Sequence, residues 1–465
     1  MTRESSPHVV VAGGGVAAVE TILALRALAG PRPRVTLLAP DAVLEHRAAS
    51  VGTPFGFGTP AGLPLEGLSR RCGFELRAGR IGRVDADRRV ALDETGDEIA
   101  YDALVVAVGA RPVAAVAGAT TFAGPRDAPR VTAVLDRLAT RPDPRLVFAL
   151  PSGSGWGLPV YELAMMAAAD LRDRGAAARL MVVTAEPSPL WVFGPEAGTA
   201  IAGLLADRGV ALLAGVTALE ALDGELVLAG REPVPADEVI ALPRLEGSGV
   251  PGLPSDEHGF IPIDAYCRVA GAGDVFAIGD AASFPIKQGG LATQQADTVA
   301  EVLAARAGAP VSPRPFRPIL RGLLLTGGAP VYLRSQLTAG GLPAPAGQSA
   351  RRVARRPAAE VSARALWWPP GKVAGRYLAP LLATARPNLA GTETLDDRSQ
   401  HGRRETADEG ARDALELALL MADEDAAAGD FDRALQALEA ASAMAGGILP
   451  GEYATRREQW RARAA

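Results

Sequence analysis

His8-Val9-Val10-Val11-Ala12-Gly13-Gly14-Gly15-Val16-Ala17-Ala18-Val19-Glu20 is the stretch on which the fold turns. Residues 8 to 12 are a short apolar, β-branched run, the pattern of a strand buried on both faces of a parallel sheet. A glycine turn follows, then a helical stretch to about Leu28, then a second strand at Arg34-Val35-Thr36-Leu37-Leu38-Ala39. Strand, turn, helix and strand within about 32 residues make one βαβ unit. The turn has the spacing GxGxxA. Gly13 permits the tight bend, Gly15 lets the backbone approach a pyrophosphate, and Ala18 is small enough to seat the helix on the sheet with its N-terminal amides toward the phosphates. A dinucleotide site, for FAD or NAD, is expected here. The ribose-binding acid belongs about 20 residues after the turn, at the end of the second strand. That place reads Leu38-Ala39-Pro40-Asp41, so the acid is displaced to Asp41 or is absent.

Working outward, Tyr101-Asp102-Ala103-Leu104-Val105-Val106-Ala107-Val108-Gly109-Ala110-Arg111-Pro112 is a strand that ends in a glycine turn. Asp274-Val275-Phe276-Ala277-Ile278-Gly279-Asp280-Ala281-Ala282 is another, ending in Gly-Asp before a helix. With the N-terminal turn, these segments resemble the FAD-dependent pyridine nucleotide–disulfide oxidoreductase superfamily, and within it the branch of sulfide:quinone oxidoreductases and single-subunit NADH dehydrogenases. The resemblance covers roughly residues 8 to 385. It implies FAD as cofactor, with Gly13, Gly15 and Ala18 at the pyrophosphate, Gly109 beside the FAD chain, and Gly279 and Asp280 at the ribityl end. It also implies an α/β fold of two Rossmann-like dinucleotide-binding domains, the FAD domain discontinuous (1–118 and 250–310) and the second domain inserted (119–249).

In relatives that oxidise NADH the inserted domain carries a second glycine turn. Here the strand Arg145-Leu146-Val147-Phe148-Ala149-Leu150 leads into Pro151-Ser152-Gly153-Ser154-Gly155-Trp156-Gly157-Leu158-Pro159-Val160-Tyr161-Glu162. Gly155 and Gly157 fit the first two glycines, but the third falls on Val160, whose branched side chain pushes helix from sheet. Trp156 fills space a pyrophosphate would use. Glu186, at the end of that domain's second strand, reads equally as a ribose-binding acid or as a solvated turn residue. Gly157-Leu158-Pro159 echoes the sulfide:quinone side, yet Gly155 stands where the reactive cysteine would be. Cys72 and Cys267 lie in no matching segment, so thiol-dependent sulfide oxidation and disulfide reduction are disfavoured.

The chain has only two lysines, Lys287 and Lys372, among 48 basic residues. Lys287 stands where sulfide:quinone-type relatives carry Lys-Thr-Gly. A cation near the flavin pyrimidine would stabilise the charge that builds on reduction, so Lys287 is expected to act at the flavin, against the alternative of a surface lysine. Gln288 beside it is placed with the cofactor-binding residues. Gln294 and Gln295 resemble the paired glutamines of single-subunit NADH dehydrogenases, or simply begin a helix.

Composition supports this reading. Of 465 residues, 48% are hydrophobic and 22% charged, a globular balance that leaves room for about three packed units. No apolar run reaches the roughly 18 residues of a membrane span. Met1–Pro7 has no apolar leader, so the chain is expected in the cytoplasm, with peripheral contact on the inner face of the membrane as a further expectation. The four histidines have no metal-ligand spacing and no metal is expected. The net charge of −5 conceals a basic segment, 311–387, at +11, and an acidic one, 388–465, at −7. The basic segment, with Arg351-Arg352-Val353-Ala354-Arg355-Arg356 and the pair Trp367-Trp368, suits contact with anionic lipid. The competing reading pairs its arginines with acids and packs the tryptophans. No aromatic-interleaved groove suggests nucleic acid. Residues 388–410 read as a linker. Residues 411–465 read as a helical hairpin resembling one tetratricopeptide unit, which would dock on the body, a second copy or a protein partner.

The expected function is therefore an FAD-dependent oxidoreductase passing electrons from a small-molecule donor, NAD(P)H slightly favoured, to a quinone or similar acceptor. The alternatives are a flavin-bound interaction or sensor protein with little turnover, and a sulfide:quinone-type enzyme without the usual cysteines.

Overall fold

The turns at Gly13–Gly15 and Gly153–Gly157 each follow the central strand of a five-stranded parallel sheet. The computed structural model describes residues 6–57, 62–338, 340–342, 359–367, 371–385 and 451–464, with a few positions between 419 and 438. In the first sheet β1 (His8–Ala12) is central, with Ala103–Val106 on one side and β2 (Arg34–Ala39) on the other. Val275–Ala277 and Glu75–Ala78 form the edges. Registers are continuous, Val9 opposite Val35 and Val10 opposite Leu104. Every residue of β1 is buried, as an apolar run covered on both faces must be.

The second sheet repeats the arrangement, with Arg145–Leu150 central between Arg179–Thr184 and Glu238–Ala241, and Val210–Ala214 and Thr120–Thr121 outermost. Its chain leaves the first sheet after Ala103–Val106 and returns at Val275–Ala277. A two-stranded antiparallel ribbon, Ala110–Val113 with Arg244–Gly247, joins the outgoing and returning chain. The fold is thus the mixed α/β arrangement of Rossmann-like units that the sequence implies.

The helix α1 (Val16–Ala29) buries Ala18, Ile22 and Leu25, spaced by one and two turns. These lie in one apolar cluster with Ala296, Val299, Ala300 and Leu303 of the helix Gly289–Arg306. The alanines let the two axes approach, and each buried Leu or Ile contributes roughly 1.5–3 kcal/mol. Gly30 ends α1 at φ 58°, its N–H donating to the Arg26 carbonyl. The two helices together hold both cofactor-end turns in place.

Beyond them, Ile319–Leu324, Val331–Gln336 and Ala359–Ser362 form an antiparallel sheet, followed by the helix Leu378–Ala385. Here the expectation of an interfacial tryptophan pair is corrected for Trp367. It is buried and stacks edge-on against Tyr332 at 5.3 Å, with its indole N–H donating to Gly371 O. Trp368 and the Arg351–Arg356 cluster lie outside the described residues. Arg314 bonds Glu301 at 2.7 Å, the acid-pairing alternative at that position. No helix among the described residues is long and apolar enough to cross a membrane. In the tail, Leu419, Ala422, Ala434, Leu438, Tyr453 and Trp460 form one small cluster of their own.

Candidate functional site

One cavity of about 590 Å³ runs along the carboxyl ends of the first sheet's strands and continues beneath the second sheet and the C-terminal segment. Its first wall is the N-terminal turn. Gly13 adopts φ +122°, and its N–H donates to Leu38 O at 2.8 Å. A Cβ there would lie 2.2 Å from the Ala107 carbonyl oxygen, so only glycine fits. Gly15 differs: its Cβ direction meets no protein atom within 4 Å and opens on the cavity. The first hydrogen bond into α1 runs from Val19 N–H to Gly15 O, which leaves the earlier amides without an intrahelical acceptor. That is an anion cradle of backbone alone. Ala18 sits behind it, fully buried in the α1 packing, while Asp41 is an exposed residue on the cavity rim.

The second wall is built where the chain leaves the first sheet and where it returns to it. Gly109, φ +75°, faces open space at the cavity edge. Gly279 adopts φ +65°, a Cβ there would lie 3.2 Å from Ala17 Cβ and 3.4 Å from Ala292 Cβ, and its N–H donates to Gln295 Oε1 at 2.7 Å. Asp280 follows in a single 3₁₀ turn and lines the cavity. Burial raises its pKa, opposed by the charges of Lys287 and Arg47. An acid lining the cavity next to a glycine turn, in the same cavity as a backbone anion cradle, suits a ligand with hydroxyls on one part and a pyrophosphate on another. These residues fit FAD.

Lys287 is buried and lines the same cavity. Its ammonium donates to Ala282 O and lies 3.6 Å from the Phe260 ring centroid. Burial pulls its pKa down to about 8, against the opposing charges of Asp280 and Asp256. The glutamines divide. Gln288 lines the cavity, but its side chain caps the helix Gly289–Arg306 by accepting from Leu291 N–H, and donates to Arg321 O. Gln294 and Gln295 do not line it. Gln294 staples Ile319 to the helix through donor and acceptor bonds at 2.9 Å, and Gln295 braces Gly279. Their service to the site is through the backbone they hold.

The second glycine turn contributes Ser154, Trp156, Leu158 and Pro159 to the cavity, while Gly155, Gly157 and Glu186 stand behind that surface. The Glu186 carboxylate accepts from the Tyr161 hydroxyl at 2.5 Å, from Leu190 N–H at 3.3 Å and from the Thr184 hydroxyl at 3.4 Å. It is half-buried in a bend, is held by these three bonds, and is not among the residues lining the cavity.

At the end of the cavity three segments meet in a cluster not foreseen as a site. The Lys372 ammonium donates to Glu162 Oε1, which also accepts from Leu325 N–H at 2.8 Å; both side chains are buried. Glu162 Oε2 is buried with no hydrogen-bond partner. His46 lies nearby, its pKa lowered to about 4 by burial and the Lys372 charge, and its Nε2 is likewise buried without a partner. All three line the cavity. The lysine scarcity that singled out Lys287 applies equally to Lys372; nothing local in the sequence marks His46.

A family model described as pyridine nucleotide-disulphide oxidoreductase matches residues 7–299. The chain belongs to that family, which is one of FAD-dependent oxidoreductases. Among curated proteins it is 27% identical over 267 residues to a sulfide-quinone reductase of Aquifex aeolicus (strain VF5), covering 54% of this chain and 61% of the relative. It is 28% identical over 301 residues to the ferredoxin reductase component of a chlorobenzene dioxygenase of Cupriavidus sp. (strain PS12), covering 61% of this chain and 69% of the other. The match to the first relative thus spans under two thirds of its length. Among solved structures, the sulfide:quinone oxidoreductase of the hyperthermophile Aquifex aeolicus superposes with a TM-score of 0.67 at 21% identity, over 77% of this chain and 87% of that one. At that identity the likeness is one of fold.

Proposed function

We propose that this chain is an FAD-dependent oxidoreductase that takes electrons from a small reduced donor and passes them to a quinone or similar acceptor. The observation that carries the reading is the continuity of the cavity. The backbone cradle at Gly13–Gly15, the acid Asp280 and the buried cation Lys287 share it with an apolar wall of Phe122, Trp156, Leu158, Leu242 and Leu323. A cofactor held by the first group therefore faces a compartment able to admit an apolar partner.

Gly15 and the α1 amides would hold the pyrophosphate, and Asp280 would accept from ribityl hydroxyls. FAD, when bound, supplies the two-electron centre. Lys287 places a fixed positive charge in a dry part of the cavity, where it favours any site that gains negative charge. Trp156 and Pro159 exclude water from the adjoining wall.

The test is anaerobic. Purified full-length protein is expected to carry FAD and to bleach rapidly with one of NADH, NADPH or sulfide, titrated separately, and the colour should return on adding a soluble quinone. A protein that retains no flavin, or whose dithionite-reduced flavin is not reoxidised by the quinone, would sink the reading.

A further inference from the structure

We infer that the second glycine turn, Gly153–Gly157, is a structural platform for the Lys287 loop and not a nucleotide site, so the donor is not a nicotinamide dinucleotide held by the inserted unit. The inference deepens the oxidoreductase reading above and rests on it.

The two turns differ in what their glycines face. In the first, Gly13 meets the Ala107 carbonyl, but Gly15 opens on space a ligand would fill. Around the second, the room left by each missing side chain is occupied by the protein itself. A Cβ on Gly153 would lie 2.9 Å from Arg244 Cγ, one on Gly155 2.7 Å from Lys287 Cγ, and one on Gly157 2.7 Å from Leu150 Cδ2 and 3.2 Å from a Glu186 carboxylate oxygen. The contact at Gly155 is reinforced by the backbone, since Lys287 N–H donates to Gly155 O at 3.1 Å. These glycines are needed for close approach of chain to chain.

The helix Leu158–Asp173 offers an anion little. Pro159 in its first turn has no N–H, and the N–H of Val160 already donates to Gly157 O at 3.1 Å. Val160 is buried in the core at the place where a nucleotide-binding turn needs glycine for helix and strand to meet. A dinucleotide here would also bring its phosphates toward the Glu186 carboxylate, whose oxygens lie 3.2 and 3.3 Å from the Cβ position of Gly157.

Two measurements test this on the FAD-loaded full-length protein. Titrated anaerobically with NADH and NADPH to millimolar concentration, the flavin is expected to show neither saturable bleaching nor a bound-ligand spectral shift. Saturable reduction by either would overturn the inference while leaving the oxidoreductase reading intact; reduction by dithionite and reoxidation by quinone check that reading separately. The second measurement is Gly155→Ala. If the turn supports Lys287, the variant shifts the flavin absorbance and midpoint potential with no nicotinamide present. An unchanged ligand-free flavin in a folded Gly155→Ala protein would overturn the platform role.

Discussion

Lys372, from the C-terminal segment, and Glu162, from the helix Leu158–Asp173 of the second unit, form a buried ion pair on the wall of the cavity that the first unit's turns also line. The pair ties two separate stretches of chain together at the point where they face the cofactor compartment. Burying two charges costs several kcal/mol per ion, and the attraction between them offsets that cost only while both are present. The pKa directions agree in kind: burial pushes Glu162 up and Lys372 down, and each partner opposes the other's shift.

Removing one partner should therefore cost more than removing both. Lys372→Met leaves the Glu162 carboxyl stranded, and we expect a loss of about 3–5 kcal/mol in urea unfolding. Glu162→Gln strands the ammonium with a similar penalty. The double variant should recover most of it, and strictly additive losses in the cycle would show that the two groups do not act as a pair.

His46 gives the fold an acid-sensitive term. Its folded pKa of about 4 lies below the usual 6.5, so the unfolded chain takes up the proton first as pH falls. The contribution is fully present above pH 6.5 and is lost as pH drops from there to about 4, amounting to about 3 kcal/mol. His46→Gln should flatten the stability profile across that window in chemical denaturation at pH 4.5, 5.5 and 7. A profile as steep as that of the unaltered protein would place the sensitivity elsewhere.

Lys287 should act on the flavin's potential and not on its retention alone. Lys287→Met removes a buried cation, and the midpoint potential is expected to fall by on the order of 30–60 mV, about 30 mV for each 1.4 kcal/mol of a two-electron couple. In the unaltered protein burial brings the ammonium's pKa down to about 8, so it is half-deprotonated there. The potential of the unaltered protein should then fall more steeply above that pH than that of the variant. Parallel profiles in spectroelectrochemical titration would remove Lys287 from the redox role.

The fold and the near half of the site were legible because they depend on backbone. A parallel strand buried on both faces must be apolar, as at Val9–Val11, and a turn that touches a carbonyl at 2.2 Å from a would-be Cβ must be glycine, as at Gly13. Such constraints leave a local imprint in sequence. The far half depends on residues brought together across 326 positions, His46 with Lys372, and their meaning lies in burial and mutual charge. Gln294 and Gln295 show the converse. Their spacing resembled that of ligand-facing residues, but one helical step turned both toward backbone groups they hold in place. Trp367 misled for a related reason, since an aromatic beside arginines reads as interfacial until Tyr332 is seen against it.

The two glycines of the first turn separate folding from cofactor binding. Gly13→Ala forces a Cβ into the Ala107 carbonyl at a φ of +122°, and no flexible side chain is there to yield. That variant is expected to lose stability by several kcal/mol or fail to accumulate, through strain at a special backbone conformation. Gly15 sits at an extended φ of −86° with open space ahead of it, so Gly15→Ala should leave the unfolding transition of the cofactor-free protein within about 0.5 kcal/mol of the original. The same methyl group protrudes into the cradle, and FAD affinity should fall at least about tenfold, the equivalent of about 1.4 kcal/mol. Flavin content and fluorescence titration of the cofactor-free protein read this directly. Undiminished FAD binding by Gly15→Ala would mean that the pyrophosphate lies elsewhere in the cavity, and the roles assigned to Asp280 and Lys287 would have to be redrawn from that position.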